Sequence, residues 1–98
     1  MEKRVYEVNA ADFTSRKTAH RILQEVFGEY EYYGRNLNAL YDVLTSIRVD
    51  SEIHVDGLEF SKMFIYQYAD SIREVFDAAE KRDRHLRFVY TETYADKN

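Results

Sequence analysis

Three short segments of alternating polarity, separated by longer stretches of helical spacing, constrain this chain more than any other feature. In "RVYEVN", Val5, Glu7 and Asn9 fall on one side, and Tyr6 and Val8 on the other. In "EIHVDG", Ile53 and Val55 alternate with Glu52, His54 and Asp56, and Gly57 ends the run. "HLRFVY" sets Leu86, Phe88 and Tyr90 on one face. A period of two is the period of a strand. Between the first two segments, "TSRKTAHRILQEVFG" repeats Ala19, Ile22, Leu23, Val26 and Phe27 at helical intervals. Thr14 or Ser15 can cap its start and Gly28 its end. Residues 29–35 read as a loop, and 36–45 as a second helix. From Leu58 to about Arg82 the pattern is helical again, with a break between Tyr66 and Asp70. Its aromatic stretch "FSKMFIYQY" is expected in the core rather than around a ligand.

Strands that alternate with helices call for parallel pairing, because a parallel neighbour is reached only through a long crossover. The expected fold is α/β: a small three-stranded parallel sheet packed by three or four helices. With the helices on one side, the other face of the sheet is expected to stay partly solvated, as the mixed patterns Val5/Glu7 and Ile53/His54 allow. The 98 residues contain no proline, low-complexity run or internal repeat, so one domain over residues 1–98 is expected. Cysteine is absent, which removes disulfides, thiol nucleophiles and cysteine metal sites and suits a reducing compartment. No apolar run approaches the roughly 20 residues that cross a bilayer. "MEKRVYEVNA" has no signal-peptide core, and the expectation is a cytoplasmic protein with no membrane partner.

The net charge of −4 argues against direct nucleic-acid binding, which needs a basic surface. The charge is also uneven. From Gly28 to Phe60, seven acids stand against Arg35 and Arg48, a local charge of −5. Such a field steers a basic partner, although a merely solvated surface would carry the same charges.

Residues 29–45, "EYEYYGRNLNALYDVLT", concentrate the aromatic surface. At about 100° per residue, Leu37, Ala39, Leu40, Val43 and Leu44 fall on one side of the helix. Asn38, Tyr41, Asp42 and Thr45 fall on the other, with Arg35 near their edge. An outward Tyr beside an Asp combines contact area at low entropic cost with a charge-assisted acceptor. Tyr30, Tyr32 and Tyr33 cannot all be core residues in one short loop.

Other chemistries find less support. His20, His54 and His85 lie in three different elements without metal-ligand spacing, so no metal and no cofactor is expected. His20 is expected at the surface or its boundary. Asp42 has no acid at i+3 or i+4, and no nucleophile constellation is readable. Only Glu29, Glu31 or His54 could join Asp42 in a small hydrolase. The basic run "EKRDRHLR" suits a solvated helix end, where the dipole favours cations. It could also meet an acidic partner.

"YYGRNLNALYDVLT", Tyr32 to Thr45, resembles the signature of the barstar-like ribonuclease inhibitors, with Tyr32, Tyr33, Gly34, Asn36, Leu37, Ala39, Leu40, Asp42, Leu44 and Thr45 in register. The order and spacing of elements extend the resemblance over nearly the whole chain. It implies a non-enzymatic inhibitor, monomeric when free, that plugs a ribonuclease's basic cleft with its second helix and preceding loop. By that resemblance Asp42 takes the place of a substrate phosphate, and Tyr32 stacks on a catalytic histidine. The implied contact set is Tyr32, Tyr33, Arg35, Asn36, Leu37, Asn38, Tyr41, Asp42, Thr45 and Ile47. Asn38, Arg35 and, in the later helix, Ala78 and Arg82 stand where the best-known member carries acids, and Tyr41 replaces a Trp. A different ribonuclease is therefore implied, or a non-ribonuclease partner bound without inhibition.

Overall fold

The computed structural model describes residues 3–28 and 34–93. Strand β1 (Arg4–Asn9) leads through a short 3-10 turn into helix α1 (Arg16–Val26) and helix α2 (Leu37–Thr45). Strand β2 (Ser51–Asp56) follows, then the single-turn helix α3 (Lys62–Ile65), helix α4 (Gln67–Arg82) and strand β3 (Leu86–Thr91). The strands form one parallel sheet in the order β1-β2-β3, with Tyr6 beside Ile53 and Ile53 beside Phe88. This is the expected α/β architecture.

Alternation along the strands divides the sheet into two unlike faces. Tyr6, Val8, Ile53, Val55, Leu86 and Phe88 are buried under the helices. Val5, Glu7 and Asn9 on the opposite face are exposed, and Glu52, His54 and Asp56 are half-buried. Between sheet and helices lie Phe13, Leu23, Phe27, Leu40, Leu44, Ile47, Ile72 and Phe76, each fully or almost fully buried. Burying a side chain of that size contributes about 1.5–3 kcal/mol, so this layer is the main stabilising term. Phe76 stacks on Phe88 at 4.7 Å between ring centroids, joining α4 to β3. Glu80 Oε2 accepts the outward Phe88 N–H at 2.8 Å, which blunts the β3 edge against a further strand.

Local chemistry sets the element ends. The Ser15 side chain accepts from the Thr18 N–H at 3.0 Å and caps α1. After α1, a Cβ on Gly28 would lie 2.7 Å from the Gln24 carbonyl oxygen, so the chain there needs glycine. Gly57, at φ 86°, passes so close to Ala11 that a Cβ would lie 2.6 Å from the Ala11 methyl.

Two expectations are corrected. His20 is buried, not at the boundary: its Nε2 lies 2.6 Å from the Tyr68 hydroxyl, and burial lowers its pKa. The hydrogen bond and the Tyr68 ring supply what water would. The stretch "FSKMFIYQY" is not core throughout. Met63, Phe64 and Tyr66 are exposed, and within α3 only Ile65 is buried. The cause is the break at Tyr66, a non-glycine residue at φ 53°. It shifts the phase of the helix, and the buried stripe resumes as Ala69, Ile72, Phe76 and Ala79 on α4.

Candidate functional site

Helix α2 is a short rod held along one side. Asn36 caps it by accepting the Ala39 N–H at 2.8 Å, and its amide donates to the Gly34 carbonyl at 3.4 Å. Ala39, Leu40, Val43 and Leu44 are buried, and α2 packs against α4. With one side committed to the core, the opposite side has a fixed direction.

That opposite side carries Asn38 and Asp42, both exposed, with Tyr41 and Thr45 half-buried beside them. The Asp42 carboxylate has no hydrogen-bond or ion-pair partner among the described residues. Its position matters. Asp42 stands in the last turn of α2, where the carbonyl end of the helix disfavours an anion by about 0.3–1 kcal/mol. The helix gains nothing from a carboxylate there.

Other members of the predicted set have structural duties. Thr45 Oγ1 donates to the Tyr41 carbonyl at 2.9 Å. Arg35 adopts φ 59°, and its Nε donates to Gln24 Oε1 at 3.2 Å, tying the approach to α2 onto α1. Ile47 is corrected: it is fully buried in the core and presents no surface. Just past the end of α2 the chain turns inward, and His85 Nε2 donates to the Ile47 carbonyl. Tyr32 and Tyr33, with the rest of residues 29–33, lie outside the described residues. His54 belongs to the sheet's open face, opposite the helical layer that holds Asp42, so the structure does not bring the two together.

Tertiary packing adds residues that the motif did not include. A shallow groove of about 300 Å³ runs between α2 and α4, lined by Leu37, Asn38 and Tyr41 from one helix and Ser71, Glu74, Val75 and Ala78 from the other. Hydrogen bonding to the Tyr41 side chain raises the Arg82 pKa. The α4 residues recur at helical spacing beside the buried stripe, a signal present in the sequence, but nothing there shows that they adjoin α2. A larger cleft of about 550 Å³ lies between the start of α1 and the α3–α4 junction, and none of the predicted contact residues line it.

The outer side of α2 is a capped rod with one outward carboxylate beside a groove that Tyr41 helps to line. Among the described residues no group of His, Asp or Glu side chains could hold a metal ion, and no helix is long and apolar enough to cross a membrane. Residues 3–92 match the model of the family described as Barstar (barnase inhibitor). The chain is also 33% identical over 75 residues to a protein of Bacillus subtilis (strain 168) named "Putative ribonuclease inhibitor YrdF", covering 76% of this chain and 82% of that one. The three-stranded parallel sheet, the helices on one face and these similarities lead to one conclusion: the chain belongs to the barstar family, whose members are inhibitors rather than enzymes.

Proposed function

We propose that this protein inhibits a ribonuclease by seating the outer side of α2 and the loop before it in the enzyme's basic cleft. The observation that carries this reading is Asp42: exposed, unpaired among the described residues, and placed where it does not help its own helix. An enzyme that cleaves RNA holds phosphate with Arg, Lys or His, and a carboxylate on a rigid rod can occupy the same donors. Tyr41, Asn38 and Leu37 supply shape around it, and Tyr32 and Tyr33 add aromatic area from the loop. Arg35, Asn36 and Thr45 border this surface and hold it in form. The protein acts as a monomer in the cytoplasm and protects the cell that makes it.

The test is an RNA-cleavage assay with barnase, the enzyme named in the family's description, and with any ribonuclease encoded beside this chain's gene. Wild-type protein is expected to suppress cleavage by at least one of them. Asp42→Ala should weaken that inhibition on the order of 100-fold, as loss of a central charged contact does. It should leave thermal stability unchanged or slightly raised. Equal inhibition by the variant would remove Asp42 from the mechanism. Failure to inhibit any of these nucleases would favour a second reading, a binding module for a non-ribonuclease partner, which the loss of the family's acids at Arg35, Asn38, Ala78 and Arg82 motivates.

A further inference from the structure

The larger cleft, of about 550 Å³, has no α2 residue in its lining and no part in the inhibitor reading. Thr14 and Arg16 stand on one wall, and Phe64, Tyr66, Gln67 and Tyr68 on the other. Its volume lies within the range of binding clefts, roughly 300–1,000 Å³. Its charge is unlike that of the whole chain. The protein carries −4, yet the described lining holds one cation, Arg16, and no acid. The Arg16 guanidinium lies over the Tyr68 ring, 4.4 Å from its centroid, and has no hydrogen bond or ion pair among the described residues. The ring contact leaves its N–H groups without an oxygen acceptor. Tyr68 is fixed from the core side, where its hydroxyl lies 2.6 Å from Nε2 of the buried His20. The acids nearest in sequence to the aromatic wall are engaged elsewhere: Glu59 and Asp70 both pair with Lys62, at 3.0 and 2.9 Å.

The apolar surface here extends beyond the cleft. Met63, Phe64 and Tyr66, neighbours on one short stretch of chain, are all exposed. Tyr66 adopts φ 53° and ψ −129°, a costly conformation for a residue with a Cβ. It remains 72% exposed, so core packing does not explain a tyrosine at this position. A small molecule seated in the cleft would leave Met63, which is outside the lining, uncovered. A polypeptide segment can cover both. Met, Phe, Tyr and Arg are also the residue types that protein interfaces favour. An unpaired guanidinium in a lining without acids is complementary to a carboxylate, which can accept two parallel N–H bonds.

We infer that the cleft between the start of α1 and the α3–α4 junction is a second binding site, which takes an acidic segment of a partner protein. A Glu or Asp of that segment sits on Arg16, and an adjacent large apolar side chain packs against Phe64 and Tyr66. The probe is a short soluble peptide in which Glu residues flank a Phe, titrated into the full chain by calorimetry and NMR. A control peptide carries Lys in place of Glu. The acidic peptide is expected to bind saturably and to shift the amide signals of Thr14, Arg16, Gln67 and Tyr68, but not those of Asn38 and Asp42. Arg16→Gln should weaken it roughly 10-fold, and Arg16→Glu should reverse the preference towards the Lys peptide. Salt should weaken the wild-type complex. Tyr66→Gly, which suits the positive φ, should weaken binding without lowering the melting temperature.

The inference is overturned if the acidic peptide does not bind, if the Lys peptide binds wild type as well, or if Arg16→Glu leaves the preference unchanged. Self-association of the wild-type chain that Arg16→Glu abolishes would also overturn it, by assigning the cleft to a second copy. The site stands or falls apart from the inhibitor reading. Arg16→Glu is expected to suppress RNA cleavage as wild type does, and a loss of inhibition there would make the cleft part of the ribonuclease contact rather than a second site.

Discussion

Two surfaces of this molecule are charged and open to water, yet they use their charges differently. On the open face of the sheet, His54 Nε2 lies 2.7 Å from Glu52 Oε1, and His54 Nδ1 lies 3.5 Å from Glu7 Oε2. Lys3 closes the group, with Nζ 3.0 Å from Glu52 Oε2. Asp56 accepts from the hydroxyls of Thr91 and Thr93. These side chains satisfy one another across neighbouring strands. On the outer side of α2, Asp42 is left unpaired among the described residues although its helix would be better without it. Charges that are spent internally describe a solvated face. A charge left free on a rigid element is what the proposed contact with a ribonuclease would use.

The comparison fails first if the α2 platform is removed. Leu40 is fully buried beneath the outward residues, and Leu40→Ala should cost about 2–5 kcal/mol in urea unfolding. Inhibition should fall with it, because the outward face is aimed by the buried one. A smaller effect comes from the cap. Asn36→Ala removes the acceptor for the Ala39 N–H and should cost about 1 kcal/mol, whereas Asn36→Asp keeps the acceptor and should recover most of it. Equal losses from the two variants would mean that Asn36 acts through something other than its cap.

The smallest effect should appear on the open face and only in acid. Hydrogen bonds from His54 and then Lys3 hold the Glu52 carboxyl at about 2, below its ordinary value of 4.5. A carboxyl depressed on folding adds stability that is fully present above its unfolded value and is lost as pH falls towards its folded value. Between about pH 5 and pH 2 the wild type should therefore lose more stability than Glu52→Gln, read from urea midpoints across that window. At neutral pH, Glu52→Gln should inhibit a ribonuclease as wild type does. A loss of inhibition there would mean that the open face also binds.

Much of the molecule could be read from residue order. The three strands follow from alternation in "RVYEVN", "EIHVDG" and "HLRFVY", and both faces of α2 follow from its 3.6-residue period. Other features depended on long-range contacts. His20 looked like a boundary residue until Tyr68, 48 positions away, supplied its hydrogen bond inside the core. Ile47 looked like part of the contact surface because it follows the motif, but the chain turns inward after α2 and buries it. The aromatics of residues 60–68 were expected in the core. A single residue at positive φ broke the phase and left Met63, Phe64 and Tyr66 outside.

The sequence by itself determined the parallel α/β class, the outward direction of Asp42 and the motif that places the chain beside the ribonuclease inhibitors. These are local properties: periodicity, capping and side-chain identity act within a few residues. Only the tertiary structure decided that Ser71, Glu74, Val75 and Ala78 form a groove with Leu37, Asn38 and Tyr41 of α2. Such contacts join residues about 30 to 40 positions apart, and they exist only once the shared core has fixed how α4 lies against α2.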